Sequence, residues 1–293
     1  MLSWPTRSSP SESASGHFRL VALDLDGLLQ PDGTLHLADL AALRTAHSLG
    51  VKIVLVSASP PQAIHRYWAQ LGLGTPVIAL NGALVYDFPS RHHQLGQTLD
   101  PELLRQALKV VRGAVPKAAV GLECGDTWAA SRLGAVAQWQ IQQSGEWPDH
   151  VGTLEPCLDR PVYLIWIDAP AEALARLETA LAGLPLAAMQ YTDPPRLLLR
   201  PPAASRGWAL SWLASSLNVE PHEIMAIGNG SGDRSMLQAA AFAVIVSDML
   251  PEVQPPETVG DTPVAQTKGL AEALSQYLQL EEREEQPWAL SEP

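Results

Sequence analysis

Two aspartates near the start of the chain lie two residues apart, directly after a short apolar segment. Residues 18–25 read FRLVALDL, and Asp24 and Asp26 are followed by Gly27. Because side chains alternate along a strand, a strand ending here would hold both carboxylates on one side. Such a pair suits a divalent cation or acid/base chemistry, and Gly27 permits a turn with outward-facing backbone N–H groups. The alternative is that the strand simply leads into a turn here and that both carboxylates face solvent.

Two further segments join an apolar run to polar residues that could bind a phosphate or a metal. Ser57 follows the run VKIVLV, and its hydroxyl and the nearby N–H groups could hold a phosphate, although serine is also common in turns. Residues 224–233 read IMAIGNGSGD, in which Asn229 and Asp233 could face the same cleft as Asp24. Otherwise this is a flexible loop, and Asp233 caps the helix that follows it.

The elements that would position these residues alternate between strand and helix. Apolar segments at 18–25, 51–56 and 76–80 are separated by helical patterns at 37–49 and 60–71, and the alternation returns over 204–278. This pattern predicts an α/β fold with a doubly wound, Rossmann-like parallel sheet. Ligands bind beyond the carboxyl ends of the strands in such sheets, which is where the candidate residues lie.

The residues between the two alternating blocks have a different character. Helical patterns at 100–115 and 171–182 accompany strand patterns at 161–167 and 196–199. We therefore predict an inserted α+β cap domain at 88–194, a core domain formed by 18–87 and 195–280, and disordered tails at 1–17 and 281–293. The cap contains Trp128, Trp139, Trp147 and Trp166. We expect most of them in its core, with Trp128 and Trp147 as the candidates for substrate contact.

Composition narrows the possible partners. The net charge is −12, and no segment collects Lys and Arg, which argues against nucleic-acid binding. No apolar run reaches the roughly 18 residues of a membrane span, so we expect no membrane association. Two cysteines fit a reducing compartment, and we expect a cytoplasmic protein whose oligomeric state stays open. No Gly-x-Gly-x-x-Gly follows the first strand, which disfavours an unrelated nucleotide-binding domain.

The order of these motifs resembles the haloacid dehalogenase superfamily, in particular its Cof-like branch, which has a large cap inserted between the second and third motifs. The resemblance extends over about residues 18–280. Five segments carry it: Asp24-Leu25-Asp26-Gly27, Ser57, the stretch VIALNGALVY at 77–86 that contains Asn81 and Gly82, SRGWAL at 205–210, and GNGSGD at 228–233.

The resemblance implies a Mg²⁺-dependent phosphatase that acts on small phosphorylated metabolites such as sugar phosphates. Asp24 would be the nucleophile that forms an aspartyl-phosphate, and Asp26 the general acid and base, with Arg206 as a further catalytic residue. The implied phosphate-binding residues are Gly27, Ser57, Asn81, Gly82 and Arg206. The implied metal ligands are Asp24, Asp26, Asn229 and Asp233.

Four positions depart from the pattern of the family. Leu28 replaces a threonine, Arg206 a lysine, Asn229 an aspartate and Gly232 an asparagine. Asn229 offers a neutral oxygen where the family has a charged one, so Mg²⁺ should bind less tightly. Arg206 keeps the positive charge of lysine, but its guanidinium group is a planar fork rather than a point charge. A catalytically weak or inactive pseudo-phosphatase with a binding or regulatory role is therefore the alternative function.

Overall fold

The computed structural model describes residues 18–30, 33–228, 231–246 and 258–279. Both predicted tails and Asn229 lie outside these ranges. Contacts divide the chain into two units, one formed by residues 1–53 and 214–293 and the other by residues 54–213. Among the residues that the structure describes, no helix combines the length and apolar character needed to cross a membrane.

Strands and helices alternate at both ends of the chain, as predicted. The strands in chain order are β1 (Leu20–Asp24), β2 (Lys52–Val56), β3 (Val77–Ala79), β4 (Leu84–Asp87), β5 (His92–Gly96), β6 (Ala119–Glu123), β7 (Trp128–Ala130), β8 (His150–Val151), β9 (Leu164–Asp168), β10 (Ala187–Thr192), β11 (Pro195–Arg200), β12 (Ile224–Gly228), β13 (Phe242–Val246), β14 (Thr258–Val259) and β15 (Thr262–Thr267). The α-helices are α1 (Leu37–Ser48), α2 (Pro61–Leu71), α3 (Pro101–Ala114), α4 (Ala135–Ser144), α5 (Ala171–Leu181), α6 (Arg206–Ser216), α7 (Arg234–Gln238) and α8 (Leu270–Leu278).

The first unit contains a mainly parallel sheet in the order β14-β15-β13-β12-β1. In this sheet β12 runs parallel to both β1 and β13, and β13 runs parallel to β15. Strand β14 lies at the edge and pairs with β15 in antiparallel orientation. Every residue of β1 and β12 is buried, as expected for parallel strands covered on both faces. Helix α8 is tied to α1 because the Ala271 N–H donates to Asp39 Oδ1 at 2.9 Å.

Strand β2 begins in the first unit and ends in the second. The Lys52 N–H donates to the Arg19 carbonyl at 2.8 Å, and Val56 pairs with Ile78 of the parallel strand β3. Strand β4 pairs with β3 in antiparallel orientation, and β5 pairs with β4 in the same way. The α/β class with a parallel sheet flanked by helices is therefore confirmed.

The second unit also contains a six-stranded sheet in the order β10-β11-β9-β6-β7-β8. Helices α3 and α5 pack on it through a buried apolar cluster that includes Leu104, Leu108, Ile165, Leu174 and Leu197. This is the α+β arrangement expected between the two alternating blocks.

The limits of this sheet differ from the predicted cap limits at both ends. Strand β5 falls within 88–194 but pairs with β4, whereas β11 lies just beyond 194 and pairs with β9 and β10. The contact units do not follow the predicted limits either, since the second unit contains 54–87 and 195–213 as well as 88–194. The division into core and cap stays a prediction.

Candidate active site

Strand β1 ends at Asp24, whose side chain is only 2% exposed. The next residue, Leu25, has helical dihedrals (φ −67°, ψ −41°), and Asp26 opens a 3₁₀ turn that ends at Leu28. The turn is closed by the Leu28 N–H, which donates to the Leu25 carbonyl at 3.0 Å. Because the strand ends at Asp24, the alternation of side chains along a strand does not determine the position of Asp26. The half-buried Asp26 is positioned by the turn instead.

A second buried carboxylate lies at the same edge of the first unit's sheet. Leu23 pairs with Ile227 in the parallel register of β1 and β12, so Asp24 and Gly228 follow at the carboxyl ends of neighbouring strands. Asp233 is fully buried, and a Cβ added to Gly228 would lie 2.5 Å from Asp233 Oδ2. The glycine leaves space for the carboxylate to lie directly against the end of β12.

These donors are of the type that Mg²⁺ prefers, which is hard oxygen. Within the described ranges, no group of three or more His, Cys, Asp or Glu side chains could hold a metal ion. Carbonyl, amide or water oxygens would therefore have to complete a magnesium shell begun by Asp24 and Asp233. Mg²⁺ commonly keeps several waters and takes only one or two carboxylates, so the donor set fits this ion.

The second unit brings together the predicted phosphate-binding residues that follow β2 and β3. Ser57 is fully buried. Its N–H donates to the Ile78 carbonyl at 2.9 Å, its carbonyl accepts from the Asn81 N–H at 3.0 Å, and its Oγ accepts from the Ser59 N–H at 2.9 Å. The two loops are therefore bound to each other through their backbones.

Asn81 and Gly82 connect these loops to the start of α6. Asn81 has φ +56° and Gly82 has φ +87°, both in the left-handed region that favours these residue types. A Cβ on Gly82 would lie 2.5 Å from the Arg206 backbone nitrogen, so α6 begins against the glycine backbone. Arg206 is 5% exposed, and its Nε donates to Asn81 Oδ1 at 3.1 Å.

Positive charge is concentrated around Arg206. Burial lowers the pKa of the Arg200 guanidinium, and the charge of Arg206 lowers it further. Two cations in a region of low water content attract an anion more strongly than they would in open solvent. This end of the second unit is therefore suited to bind a phosphate.

Several residues that contact or extend this group were not identified from the sequence. The Tyr191 hydroxyl lies 3.4 Å from both the oxygen and the nitrogen of the Asn81 amide. The Arg196 guanidinium lies between two rings, 4.4 Å from the centroid of Tyr191 and 4.6 Å from that of Trp139. None of the motifs contains these residues.

The two tryptophans favoured for substrate contact occupy opposite extremes of exposure. Trp128 is 3% exposed and Trp147 is 67% exposed. Trp139 and Trp166 instead line a pocket that also contains Ser59 and Leu80, which are neighbours in sequence of the predicted phosphate-binding residues. A single sequence offers no signal for choosing among the four.

Known proteins similar to this chain support one family. A family profile described as "haloacid dehalogenase-like hydrolase" matches residues 21–274. The phosphatase YwpJ of Bacillus subtilis (strain 168) is 25% identical in an alignment 276 residues long, which covers 80% of this chain and 92% of that protein.

Solved structures of the same family have a similar fold. A haloacid dehalogenase-like hydrolase from Bacteroides thetaiotaomicron superposes with a TM-score of 0.73 at 21% identity, covering 88% of this chain and 99% of that one. A sugar phosphatase of haloacid dehalogenase subclass IIB superposes with a TM-score of 0.71 at 14% identity, covering 90% and 99%. At these identities the likeness concerns the fold.

Proposed function

Because the chain belongs to the family of haloacid dehalogenase-like hydrolases, in its Cof-like branch, we propose that it is a Mg²⁺-dependent phosphatase of small phosphorylated metabolites. The observation that carries this proposal is the position of Asp24. It lies buried at the carboxyl end of β1, inside the residues that the family profile matches, and the resemblance of its motif to the family implies a nucleophile at this position. Buried Asp233 at the end of the neighbouring strand supplies a second carboxylate.

The reaction would proceed in two steps on Asp24. In the first step an Asp24 carboxylate oxygen attacks phosphorus, the bond to the leaving oxygen breaks, and Asp26 donates a proton to that oxygen. In the second step Asp26 takes a proton from water, the water oxygen attacks phosphorus, and the Asp24 carboxylate is released with inorganic phosphate. Asp26 is half-buried in the 3₁₀ turn, which suits a group that exchanges protons with water.

The phosphoryl oxygens would be held by Ser57, Asn81, Gly82 and Arg206, with the Gly27 backbone as a further donor. The hydrogen bond from Arg206 Nε to Asn81 Oδ1 orients the guanidinium before a phosphate arrives. A fixed cation of this kind stabilises the charge of the transferring group without reorganising. The backbone hydrogen bonds of Ser57 to Ile78 and Asn81 hold Ser57 in the same rigid group.

We expect Mg²⁺ to be held by the Asp24 carboxylate, the Asp26 carbonyl and Asn229. When bound, this ion neutralises part of the negative charge of the phosphoryl oxygens. Asp233 would contribute through water or by orienting Asn229. We place the enzyme in the cytoplasm, because Cys124 and Cys157 are free, buried thiols that a reducing compartment preserves.

The alternative, a pseudo-phosphatase, draws its support from the departures at Leu28, Arg206, Asn229 and Gly232. None of these removes the nucleophile or the general acid, and the Arg206 bond to Asn81 keeps a cation in the site. An active enzyme therefore accounts better for the residues that are present.

Hydrolysis of p-nitrophenyl phosphate tests the proposal. Wild type should release nitrophenol with Mg²⁺ and lose this activity when the metal is chelated. Asp24→Asn should have no activity, because an amide cannot form the acyl-phosphate. Asp261→Asn is the matched control, since Asp261 is exposed on the turn between β14 and β15 and the change in charge is the same. Equal rates for wild type and Asp24→Asn would refute the role of Asp24.

A further inference from the structure

Strand β11 ends at Arg200, a partly exposed arginine that contacts the turn leading into α6. The Pro201 carbonyl accepts from the Ala204 N–H at 3.1 Å, which closes this turn. The same carbonyl accepts from Arg200 Nη1 at 3.3 Å. Helix α6 then begins at Arg206. One short turn therefore separates two residues that carry guanidinium groups.

The side chain of Arg200 lies on the face of the six-stranded sheet that reaches Asn81. Leu199 belongs to the apolar cluster beneath α3 and α5, and side chains alternate along β11, so Arg200 and Arg196 lie on the opposite face. Tyr191 pairs with Arg196 in the register of β10 and β11. The Tyr191 hydroxyl lies 3.4 Å from the Asn81 amide, which places this face beside the predicted phosphate-binding residues.

The charges around Arg200 are unbalanced. Burial lowers the pKa of the Arg200 guanidinium and the charge of Arg206 lowers it further, whereas Tyr191 raises it. In the part of the chain that the structure describes, no carboxylate is among the groups that shift this pKa. Arginine nevertheless stays protonated in proteins. A cation held partly out of water beside a second cation is unfavourable until an anion offsets the two charges.

The two arginines are held by different parts of the second unit. Arg206 Nε donates to Asn81 Oδ1 at 3.1 Å, which directs this guanidinium to the proposed phosphoryl group. Arg200 is held instead by the Pro201 carbonyl. Arg206 and Mg²⁺ would together neutralise the transferring phosphoryl group, so the charge of Arg200 would be available for another part of the substrate.

On the basis of the proposed phosphatase function, we propose that Arg200 binds a second anionic group of the substrate, either a carboxylate or a further phosphate group. The planar guanidinium presents paired N–H groups that match both kinds of anion. The preferred substrates are then phosphate esters with two anionic groups rather than neutral alcohols or sugars with one phosphate. An ammonium group in the same place would be repelled by both arginines.

Pairs of phosphate esters that differ by one anionic group test this assignment. The carboxylate pair is 3-phosphoglycerate and glycerol 1-phosphate. The phosphate pairs are the symmetric bisphosphates of propane-1,3-diol and hexane-1,6-diol, each with its monophosphate. The measured quantity is the ratio of kcat/KM within each pair, with p-nitrophenyl phosphate as the reference. Wild type should prefer the doubly anionic member of at least one pair by about tenfold, the kinetic equivalent of a charge-assisted hydrogen bond, and added salt should weaken this preference.

Three variants show whether Arg200 causes the preference. Arg200→Met removes the charge and keeps most of the side-chain length, so the loss of kcat/KM on the doubly anionic ester should exceed the loss on p-nitrophenyl phosphate by about tenfold, mainly through KM. Arg200→Lys keeps the charge and should retain part of the preference. Arg176→Met is the matched control, because Arg176 is exposed on α5, which packs on the other face of the sheet. This control should keep the wild-type preference.

The outcomes separate this assignment from the phosphatase proposal. If p-nitrophenyl phosphate is hydrolysed but no pair shows a preference, or if the preference persists in Arg200→Met, the assignment is wrong and the phosphatase proposal stands. An equal loss on all esters in Arg200→Met also overturns it, because Arg200 would then act on the transferring phosphoryl group. The pair that shows the preference identifies the second group as a carboxylate or a phosphate. If no ester is hydrolysed at saturating Mg²⁺, the phosphatase proposal fails and the assignment falls with it.

Discussion

Replacing Glu123 by Gln should stabilise the protein at alkaline pH and not at acidic pH. Glu123 is 2% exposed, and its Oε1 accepts a hydrogen bond from Trp166 Nε1 at 2.9 Å. Burial penalises the charged carboxylate and raises the pKa of Glu123 from 4.5 to about 7. The amide of glutamine has nearly the same shape and is never charged.

The size and sign of the effect follow from proton linkage. Between pH 4.5 and about 7 the folded protein holds a proton on Glu123 that the unfolded chain releases, so wild type loses stability as the pH rises. The full loss above pH 7 corresponds to about 3 kcal/mol, at 1.36 kcal/mol for each pKa unit. Below pH 4.5 both states are protonated and the contribution is constant. The Glu123→Gln variant has no carboxyl group at this position, so it does not lose stability in this way as the pH rises.

Urea unfolding at pH 5 and pH 8 measures the prediction. The difference in unfolding free energy between Glu123→Gln and wild type should move in favour of the variant by about 2–3 kcal/mol from pH 5 to pH 8. The comparison between variant and wild type removes the titration of all other groups. Glu146→Gln is the control, because Glu146 is exposed and loses the same charge. A pH-independent difference would show that Glu123 is not protonated in the folded protein near pH 7.

Two further substitutions test the metal and phosphate groups. Asn229→Asp should tighten Mg²⁺ binding measured by calorimetry, because a charged oxygen replaces a neutral one, and unchanged affinity would exclude Asn229 as a ligand. Gly82→Ala should destabilise the protein by more than about 2 kcal/mol in urea, since φ is +87° and the Cβ would lie 2.5 Å from the Arg206 nitrogen. Gly72→Ala, with φ +67° and nothing within 4 Å, should cost only about 1 kcal/mol, and equal losses in the two variants would contradict the packing argument.

The parallel strands and the amphipathic helices were predictable because their pattern is local. Strand β1 is apolar up to Asp24 and strand β2 is apolar after Lys52, which is what burial on both faces requires. Helix α3 has its apolar residues on one face, begins with Asp100 capping two N–H groups, and was placed within a residue of its actual limits. Such signals do not depend on distant parts of the chain.

Two of the elements that the sequence analysis does not predict have weak local patterns. Helix α4 reads AVAQWQIQQS, and its buried residues are Val136, Ala137 and Gln140, so it shows no apolar stripe. Strand β10 reads AAMQYT and has no fully buried residue, because it is the edge of the six-stranded sheet. Their structure depends on the neighbours that they pack against, as is common for edge strands and short helices.

The same distinction separates the predicted site residues from the buried carboxyl group of Glu123. Asp24, Ser57 and Asp233 follow apolar segments, and their order along the chain carried the resemblance to a family. Glu123 is the last residue of the apolar strand β6, but its Oε1 accepts a hydrogen bond from an indole that lies 43 residues later in the chain. A carboxyl at the end of a strand normally faces water, and nothing local indicates that β9 and α4 bury this one. The burial of Glu123 therefore depends on tertiary contacts, whereas the residues that carry the resemblance to the family can be read from the sequence.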